Sequence, residues 1–379
     1  MAIETAKRLG LYTVLCDYLS DNPGQYFADK FYQTSTTDRD AILKVAQQEA
    51  IDYIIAYASD PAAPTAAYVA EKLGLPTNPY KAVETLCNKD IFRVFLESHG
   101  FNTPCAKGFE NKEEVLSDIS SFVFPIIIKP VDSSGSKGAT VLRSVEGLEQ
   151  AIDFAFSFSR GHRIIIEEFI EKKHPYLIGS DIFVSDGKII QWGLMNCHRD
   201  NHVNPLVPVG KSYPPMLDEE DLTAVKDTLQ RLVTELGIYF GPMNVELVVD
   251  RNNRVFPIDI GPRSGGNMIP DLLGMIFSCD VVEMSIRSAM GESVKEGDST
   301  CSPYYATLNL HFGLSLFMGG TVYCVQFIGL NDILTLLIQV PVGAIIYISC
   351  SKLFHIDSFE YLINTVKGLL HKTKKETQL

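Results

Sequence analysis

Glu246 and Asp259 lie in two alternating apolar runs, Asn244-Val-Glu-Leu-Val-Val-Asp250 and Val255-Phe-Pro-Ile-Asp259-Ile-Gly-Pro-Arg263. Such alternation predicts a β-hairpin, and Asn252-Asn253 tolerates the positive φ of a tight turn. A turn centred on that pair leaves Glu246 and Asp259 equally distant from it, and so directly opposite each other across the ladder. Like charges placed this way repel. A cation between them removes the repulsion, and hard carboxylate oxygens suit Mg²⁺ carrying substrate phosphates. On spacing alone, an exposed hairpin with two solvated acids explains the pattern equally well.

Upstream, Phe124-Pro-Ile-Ile-Ile-Lys129-Pro130 places a lysine at the end of an apolar strand, where it must be paired or face a ligand. The loop Ser133-Ser134-Gly135-Ser136-Lys137-Gly138 follows and offers backbone N–H groups, hydroxyls and a cation to an anion. It lacks P-loop spacing and leads into a strand, so a plain hairpin loop competes with a phosphate nest. Arg163-Ile-Ile-Ile-Glu167-Glu168-Phe169-Ile170 is a strand ending in acids, with backbone groups available to a flat heterocycle.

These groups need positioning elements, and the chain alternates helix and strand. Helices are expected at Ala2–Leu9, Asp38–Glu49, Pro64–Leu73, Asn88–His99, Leu148–Phe158, Glu219–Leu236 and from about Asp271 to Met290. Strands are expected at Tyr12–Cys16 and Tyr53–Tyr57, with a hairpin of Gly179–Val184 and Lys188–Cys197 about Asp186-Gly187. The N-terminal βα pattern predicts an α/β fold with a parallel sheet, although it opens inside a helix, so either the start is truncated or the sheet lacks its first strand. Asp17 after a strand fits a ribose-binding acid, but no glycine fingerprint precedes it, which favours a cap or loop role.

Bulk properties narrow the function. A chain of 379 residues implies about two or three lobes. Net charge of −13 gives no broad basic surface, which argues against nucleic acid as a partner. The eight cysteines form no Cys-x-x-Cys pair and no zinc spacing, and read as reduced thiols of a cytoplasmic protein. The apolar stretch Pro303–Ser351 is broken by Gly313, Gly319-Gly320, Gly329, Asn331-Asp332 and Pro341, so buried strands are expected there rather than a membrane span of about 18 residues.

Taken in order, Lys89 in Asn-Lys-Asp-Ile-Phe-Arg93, Lys129, the small-residue loop, Glu-Glu-Phe-Ile170, Asn244-Val-Glu246 and Asp259-Ile-Gly-Pro-Arg263 resemble the ATP-grasp superfamily. The likeness is greatest to carbamoyl phosphate synthetase-like, biotin carboxylase-like and carboxylate–amine ligase members. It implies an N-terminal pre-ATP-grasp α/β domain (1–82), an α+β ATP-grasp domain (83–296) with a smaller lid (about 125–185), and a β-rich C-terminal lobe (297–379). It implies that Lys89, Lys129 and the loop residues Ser133, Ser134, Gly135, Ser136 and Gly138 contact ATP phosphates. Glu167 and Ile170 would hold adenine with Phe169 between them, and Asp181 would contact ribose or triphosphate. Glu246 and Asp259 would carry Mg²⁺, with Mn²⁺ as an alternative, and Arg263 would stabilise the acyl phosphate or the intermediate derived from it. The family commonly has Asn where Gly261 stands here. Asn244, opposite Gly261 in the same register, is expected to supply the missing amide oxygen.

The implied reaction activates a carboxylate as an acyl phosphate for an amine, releasing ADP and phosphate, with small-molecule acid and amine as partners and a homodimer admitted. Bicarbonate activation and a nucleotide-binding module with lost catalysis are the competing readings. For the second substrate, the candidates are His198, Arg199 and Lys211, read as an exposed loop, and the backbone of Ser264-Gly-Gly-Asn267.

Overall fold

The structure, a computed structural model, describes residues 1–200, 204–297 and 305–308. Most of the apolar stretch Pro303–Ser351 and of the expected C-terminal lobe lies outside the described residues. Contacts divide the chain into two compact units, one of Met1–Asn196 with Tyr213–Tyr305 and another that contains Cys197–Ser212. Among the described residues, no helix is long and apolar enough to cross a membrane.

The first unit opens with α1 (Ala2–Arg8), followed by the parallel pair β1 (Val14–Asp17) and β2 (Lys30–Gln33). Asp17 turns out to be a loop organiser, accepting from Leu19 N–H and Asn22 Nδ2. Helix α2 (Arg39–Glu49) starts at Asp38, whose side chain accepts from Ala41 N–H. Helix α3 (Ala63–Leu73) ends at Gly74 in the left-handed conformation. The Tyr53–Tyr57 run, expected as a strand, enters no ladder. Ile54 packs with Ile42, Ala46 and Val69, so apolar burial holds this segment without strand pairing.

Helix α4 (Tyr80–Cys87), not expected from the sequence, comes next, and then α5 (Lys89–Ser98), which agrees with the helix expected at Asn88–His99; the extended residue Asn88 separates the two. A four-stranded sheet follows, built from β3 (Ala106–Phe109), β4 (Ile126–Pro130), β5 (Thr140–Leu142) and β6 (Ile164–Glu168) in the order β3-β6-β4-β5. Helices α6 (Lys112–Asp118) and α7 (Leu148–Phe158) supply its core partners. Val115, Ala151 and Ile152 bury one face with Ile126, Ile128, Ile164 and Ile166. The strand period of two sends Lys129 and Glu167 to the opposite face.

The larger sheet runs β12-β11-β7, with β8 also on β7. The β7 (Leu177–Ser185) and β8 (Lys188–Trp192) hairpin turns through Asp186 and Gly187, both at positive φ, as expected of a two-residue turn. The predicted Lys188–Cys197 strand breaks at Gly193, where a Cβ would overlap Leu273, and resumes as β9 (Met195–Asp200). Residues 204–213 form β10 (Asn204–Tyr213), neighbour of β9, so the expected surface loop holding Lys211 is a strand.

Helix α8 (Glu219–Leu236) packs Val225, Leu229 and Val233 against Ile182, Val245 and Leu247. After β11 (Gly241–Val249) and β12 (Val255–Gly261), the single helix expected near Asp271–Met290 is two, α9 (Ile269–Phe277) and α10 (Val281–Ala289). Ser278 in the left-handed conformation ends the first, and Asp280, accepting from Glu283 N–H, starts the second.

Candidate active site

The β11–β12 hairpin sets Glu246 opposite Asp259 and Asn244 opposite Gly261, the register expected from sequence, though by another route. The turn is longer than Asn252-Asn253: Asp250 N–H donates to the Arg254 carbonyl at 3.0 Å, and Asn253 takes φ 59° at the end of the Arg251-Asn-Asn253 loop. This longer turn pairs Val249 with Val255 and Leu247 with Pro257, a slip of one residue. A bulge between Glu246 and Leu247 leaves Ile258 unpaired and cancels the slip.

Arg93 of α5 holds that bulge. Its guanidinium donates to the carbonyl oxygens of Ile258 at 2.6 Å and Pro257 at 3.3 Å. The same side chain lies 3.0 Å from the Glu167 carboxylate, which also pairs with Lys129 at 2.7 Å. Arg93, Glu167 and Lys129 are 4, 2 and 8 % exposed, so this is a buried cluster of two cations and one anion. Burial, together with Arg93 and Lys89, pushes Lys129 below the ordinary lysine range despite Glu167. Glu167 is held low because Arg93 and Lys129 outweigh the desolvation that opposes it. In the sequence, Arg93 stands out only as the end of the Asn-Lys-Asp-Ile-Phe-Arg93 run. The signal that could have found it is an arginine on a helix face otherwise given to Phe92 and Leu96.

Lys89, at the start of the same helix, donates to the Ser133 carbonyl at 2.8 Å and lies 3.6 Å from Asp259. It therefore joins the glycine-serine loop to the acidic hairpin. Desolvation raises the Asp259 carboxyl, and Lys89, Lys129, Arg263 and Arg93 together overcome it, leaving Asp259 below the usual aspartate range. In the loop, Gly135, Ser136 and Gly138 take positive φ, and Ser134 leads into that turn. Gly138 is also a packing requirement, since a Cβ there would sit 2.7 Å from Pro130 and 2.8 Å from Phe158.

At the strand end, Glu168 N–H donates to Cys105 and Phe169 N–H to Pro125. Glu167 spends its backbone in the β3-β6-β4 ladders and its carboxylate on Arg93 and Lys129. Phe169 is half-exposed, and Ile170 N–H enters no described hydrogen bond. Asp181 is buried on β7, where it accepts from Asn244 Nδ2 at 2.8 Å and Gly265 N–H at 2.7 Å. The structure thus places Asp181 under the Ser264–Asn267 turn, and the Gly265 N–H, expected among the backbone donors for an anion, is already used. Asn244 commits its NH₂ to Asp181, so its amide oxygen is the end a cation would use.

Arg263 does not pair with Asp259. It makes a two-point ion pair with Asp60, Nε and Nη2 donating at 2.7 and 2.6 Å, and its Nη1 donates to the Ser264 carbonyl at 3.1 Å. Asp60, Cys87, Lys89, Ser133, Arg160 and Asp259 line one cavity of about 180 Å³. The hard oxygens of Glu246, Asp259 and Asn244 suit Mg²⁺. Among the described residues no group of three or more His, Cys, Asp or Glu has metal-binding geometry, so such an ion would be completed by substrate oxygens, as Mg²⁺ with phosphates usually is.

The other substrate candidates lie in the second unit. His198 Nε2 is 2.9 Å from Ser212 Oγ, and Lys211 Nζ is 3.0 Å from Cys197 Sγ. Burial and Lys211 push His198 down to about 4, so it is neutral at physiological pH.

Residues 88–297 match the family model described as "Carbamoyl-phosphate synthase L chain, ATP binding domain". The chain is 27% identical over 291 residues to a formate-dependent phosphoribosylglycinamide formyltransferase of Methanocaldococcus jannaschii, covering 76% of this chain and 72% of that one. It spans 61% to 73% of the length of the first curated relatives it matches. Its fold is similar to the L-amino acid ligase of Bacillus licheniformis, with TM-score 0.66, 22% identity and coverage of 80% and 75% of the two chains. It is also similar to N5-carboxyaminoimidazole synthetase of Staphylococcus aureus complexed with ADP, with TM-score 0.70, 18% identity and coverage of 85% and 82%. With the family model spanning more than half of the sequence, over the same helix, strands and hairpin that build the site, this chain belongs to the carbamoyl-phosphate synthase L chain ATP-binding family, within the ATP-grasp superfamily of ADP-forming ligases.

Proposed function

We propose that this chain is an ATP-dependent ligase that activates a carboxylate as an acyl phosphate and passes the acyl group to an amine or similar nucleophile. The observation that carries the reading is Asp259, facing Glu246 across the ladder and lying 3.6 Å from Lys89, which also grips the glycine-serine loop. A carboxylate has no good leaving group. Attack of its oxygen on the γ-phosphorus of ATP breaks the bond to the β,γ-bridging oxygen and releases ADP. The nucleophile then adds to the acyl carbon, phosphate departs with the carbon–oxygen bond pair, and the amine loses a proton.

Such transfer depends on positioning and on neutralising phosphate charge. Lys89 and Lys129 supply cations, with Lys129 held in place by Glu167, and the Ser133–Gly138 loop supplies backbone donors. Ile170 N–H meets the adenine edge beside Phe169. Asp181 acts through Asn244 and the Gly265 turn rather than on ribose. Mg²⁺ bound by Glu246 and Asp259, with Asn244 as the amide ligand, would supply the remaining charge neutralisation. The four-stranded sheet, with β4, β5 and β6 within residues 125–185 and β3 before them, serves as the lid.

Hydroxylamine is a general trap for acyl phosphates, so the unknown amine need not be identified first. A panel of carboxylic acids with MgATP and hydroxylamine should give a hydroxamate and ADP in equal amounts for at least one acid. ADP released with bicarbonate alone would move the assignment to bicarbonate activation. Nucleotide binding with no ADP formed under any acid, amine or bicarbonate would sink both. Asn244→Ala should weaken the Mg²⁺ dependence of turnover; unchanged dependence removes Asn244 from the ligand set.

A further inference from the structure

Asp60 lies in the Ala58-Ser-Asp-Pro61 segment of the N-terminal part of the chain, far in sequence from the site, yet its carboxylate grips Arg263 at 2.7 and 2.6 Å. An arginine has five N–H donors arranged in forks. Asp60 takes the Nε/Nη2 edge and the Ser264 carbonyl takes one Nη1 donor. One N–H on each of Nη1 and Nη2 is left, a spacing that matches two oxygens of a phosphoryl group.

Position 261 supports the same arrangement. A Cβ there would fall on Asp60 Oδ1 and 3.1 Å from Arg263 Nε, so glycine is what lets the Asp60 carboxylate reach the arginine. We infer that Asp60 is a positioning residue: it orients Arg263 so that its open end faces the phosphoryl-bearing anion of the reaction, and Gly261 exists to admit it. This rests on the role proposed above for Arg263.

Two measurements on the full chain test it. Without nucleotide, phenylglyoxal modification of Arg263, mapped by peptide mass spectrometry, should run about tenfold faster in Asp60→Ala than in the unaltered chain, as expected for loss of a charge-assisted pair. With MgADP bound, inorganic phosphate is the probe, titrated calorimetrically. Asp60→Ala should weaken phosphate binding about tenfold or more, with MgADP affinity changed less than about twofold. The exchange Asp60→Gly with Gly261→Asp returns a carboxylate to the arginine from the other side and should recover most of the phosphate affinity, which a general folding defect would not allow. Equal modification rates overturn the clamp. Phosphate binding that is unchanged or tighter in Asp60→Ala, or absent in the unaltered chain with MgADP bound, overturns the positioning role. Failure of the unaltered chain to bind MgADP strikes the ligase reading instead, and the modification rates still decide whether Asp60 holds Arg263.

Discussion

Two hairpins face the candidate site and are built on opposite rules. In β4–β5 the functional groups sit at the tip, in a loop with positive φ at Gly135, Ser136 and Gly138, and its fixed charge, Lys129, is down on the strand. In β11–β12 the tip carries no chemistry, and the acids stand in mid-strand where the ladder fixes them. The first arrangement suits a group that must approach a ligand through its backbone. The second suits two like charges that must be held together against their repulsion. Lys89 of α5 joins the two hairpins directly, and Arg93 of the same helix links them through Glu167 of β6, which pairs with Lys129.

Arg93→Ala is the substitution that should do most damage. It leaves Glu167 buried with one partner fewer and strips donors from Pro257 and Ile258. Breaking a buried ion cluster by removing one member costs about 3–5 kcal/mol, which urea unfolding would measure. Exposed Lys137, a charge at the loop tip, should give less than about 0.5 kcal/mol when changed to Ala. Equal losses at the two positions would show that the buried stem is no more structural than the tip.

Asp259→Asn should come next, through activity rather than folding. Loss of one preorganised charge at the phosphoryl site is worth about a hundredfold or more in turnover. The hydroxamate assay reads this directly, and Ser134→Ala at the loop tip should cost less, because backbone donors remain.

This contrast also explains what could be read in advance. The facing of Glu246 and Asp259 was legible only because the one-residue slip of the longer turn and the bulge at Ile258 cancel. The turn and bulge that produce it were not, since Ile258 is an ordinary apolar residue whose displacement depends on an arginine on a distant helix. Lys129 declared itself by sitting in an apolar strand, whereas Glu167 was read as an adenine contact, and the pairing of its carboxylate with Lys129 and Arg93 appears only in the folded chain. Asp60 left no local signal: its meaning lies in the missing side chain at Gly261, and the two meet only in the folded chain. The Tyr53–Tyr57 run had strand composition, but a ladder needs a neighbour, which no single segment can reveal.

The glycines of the tip separate two kinds of requirement. Gly135 has positive φ and open space around it, so Gly135→Ala should cost about 1 kcal/mol, the backbone penalty alone. Gly138→Ala meets the same penalty plus overlap with Pro130 and Phe158, and should cost about 2–4 kcal/mol. Unfolding midpoints of the two variants provide the check. Similar values would mean that the loop shifts as a body and that Gly138 is not pinned to the strand beneath it.

The smallest effect bears most directly on how the acids are aligned. Asn253 holds φ 59° at the end of the longer turn, a conformation that glycine accepts readily and β-branched residues resist. Asn253→Gly should change stability by no more than a few tenths of a kcal/mol, and Asn253→Val should cost about 1–2 kcal/mol. If Arg93 and the Ile258 bulge fix the register, the valine variant loses stability but keeps its Mg²⁺-dependent nucleotide affinity, because Glu246 still faces Asp259. If the turn fixes the register, the strand slips by a residue, one acid leaves the site face, and Mg²⁺ dependence is lost along with stability. Titrating nucleotide with and without Mg²⁺ into the valine variant distinguishes a hairpin aligned from its tip from one aligned by the helix that grips its bulge.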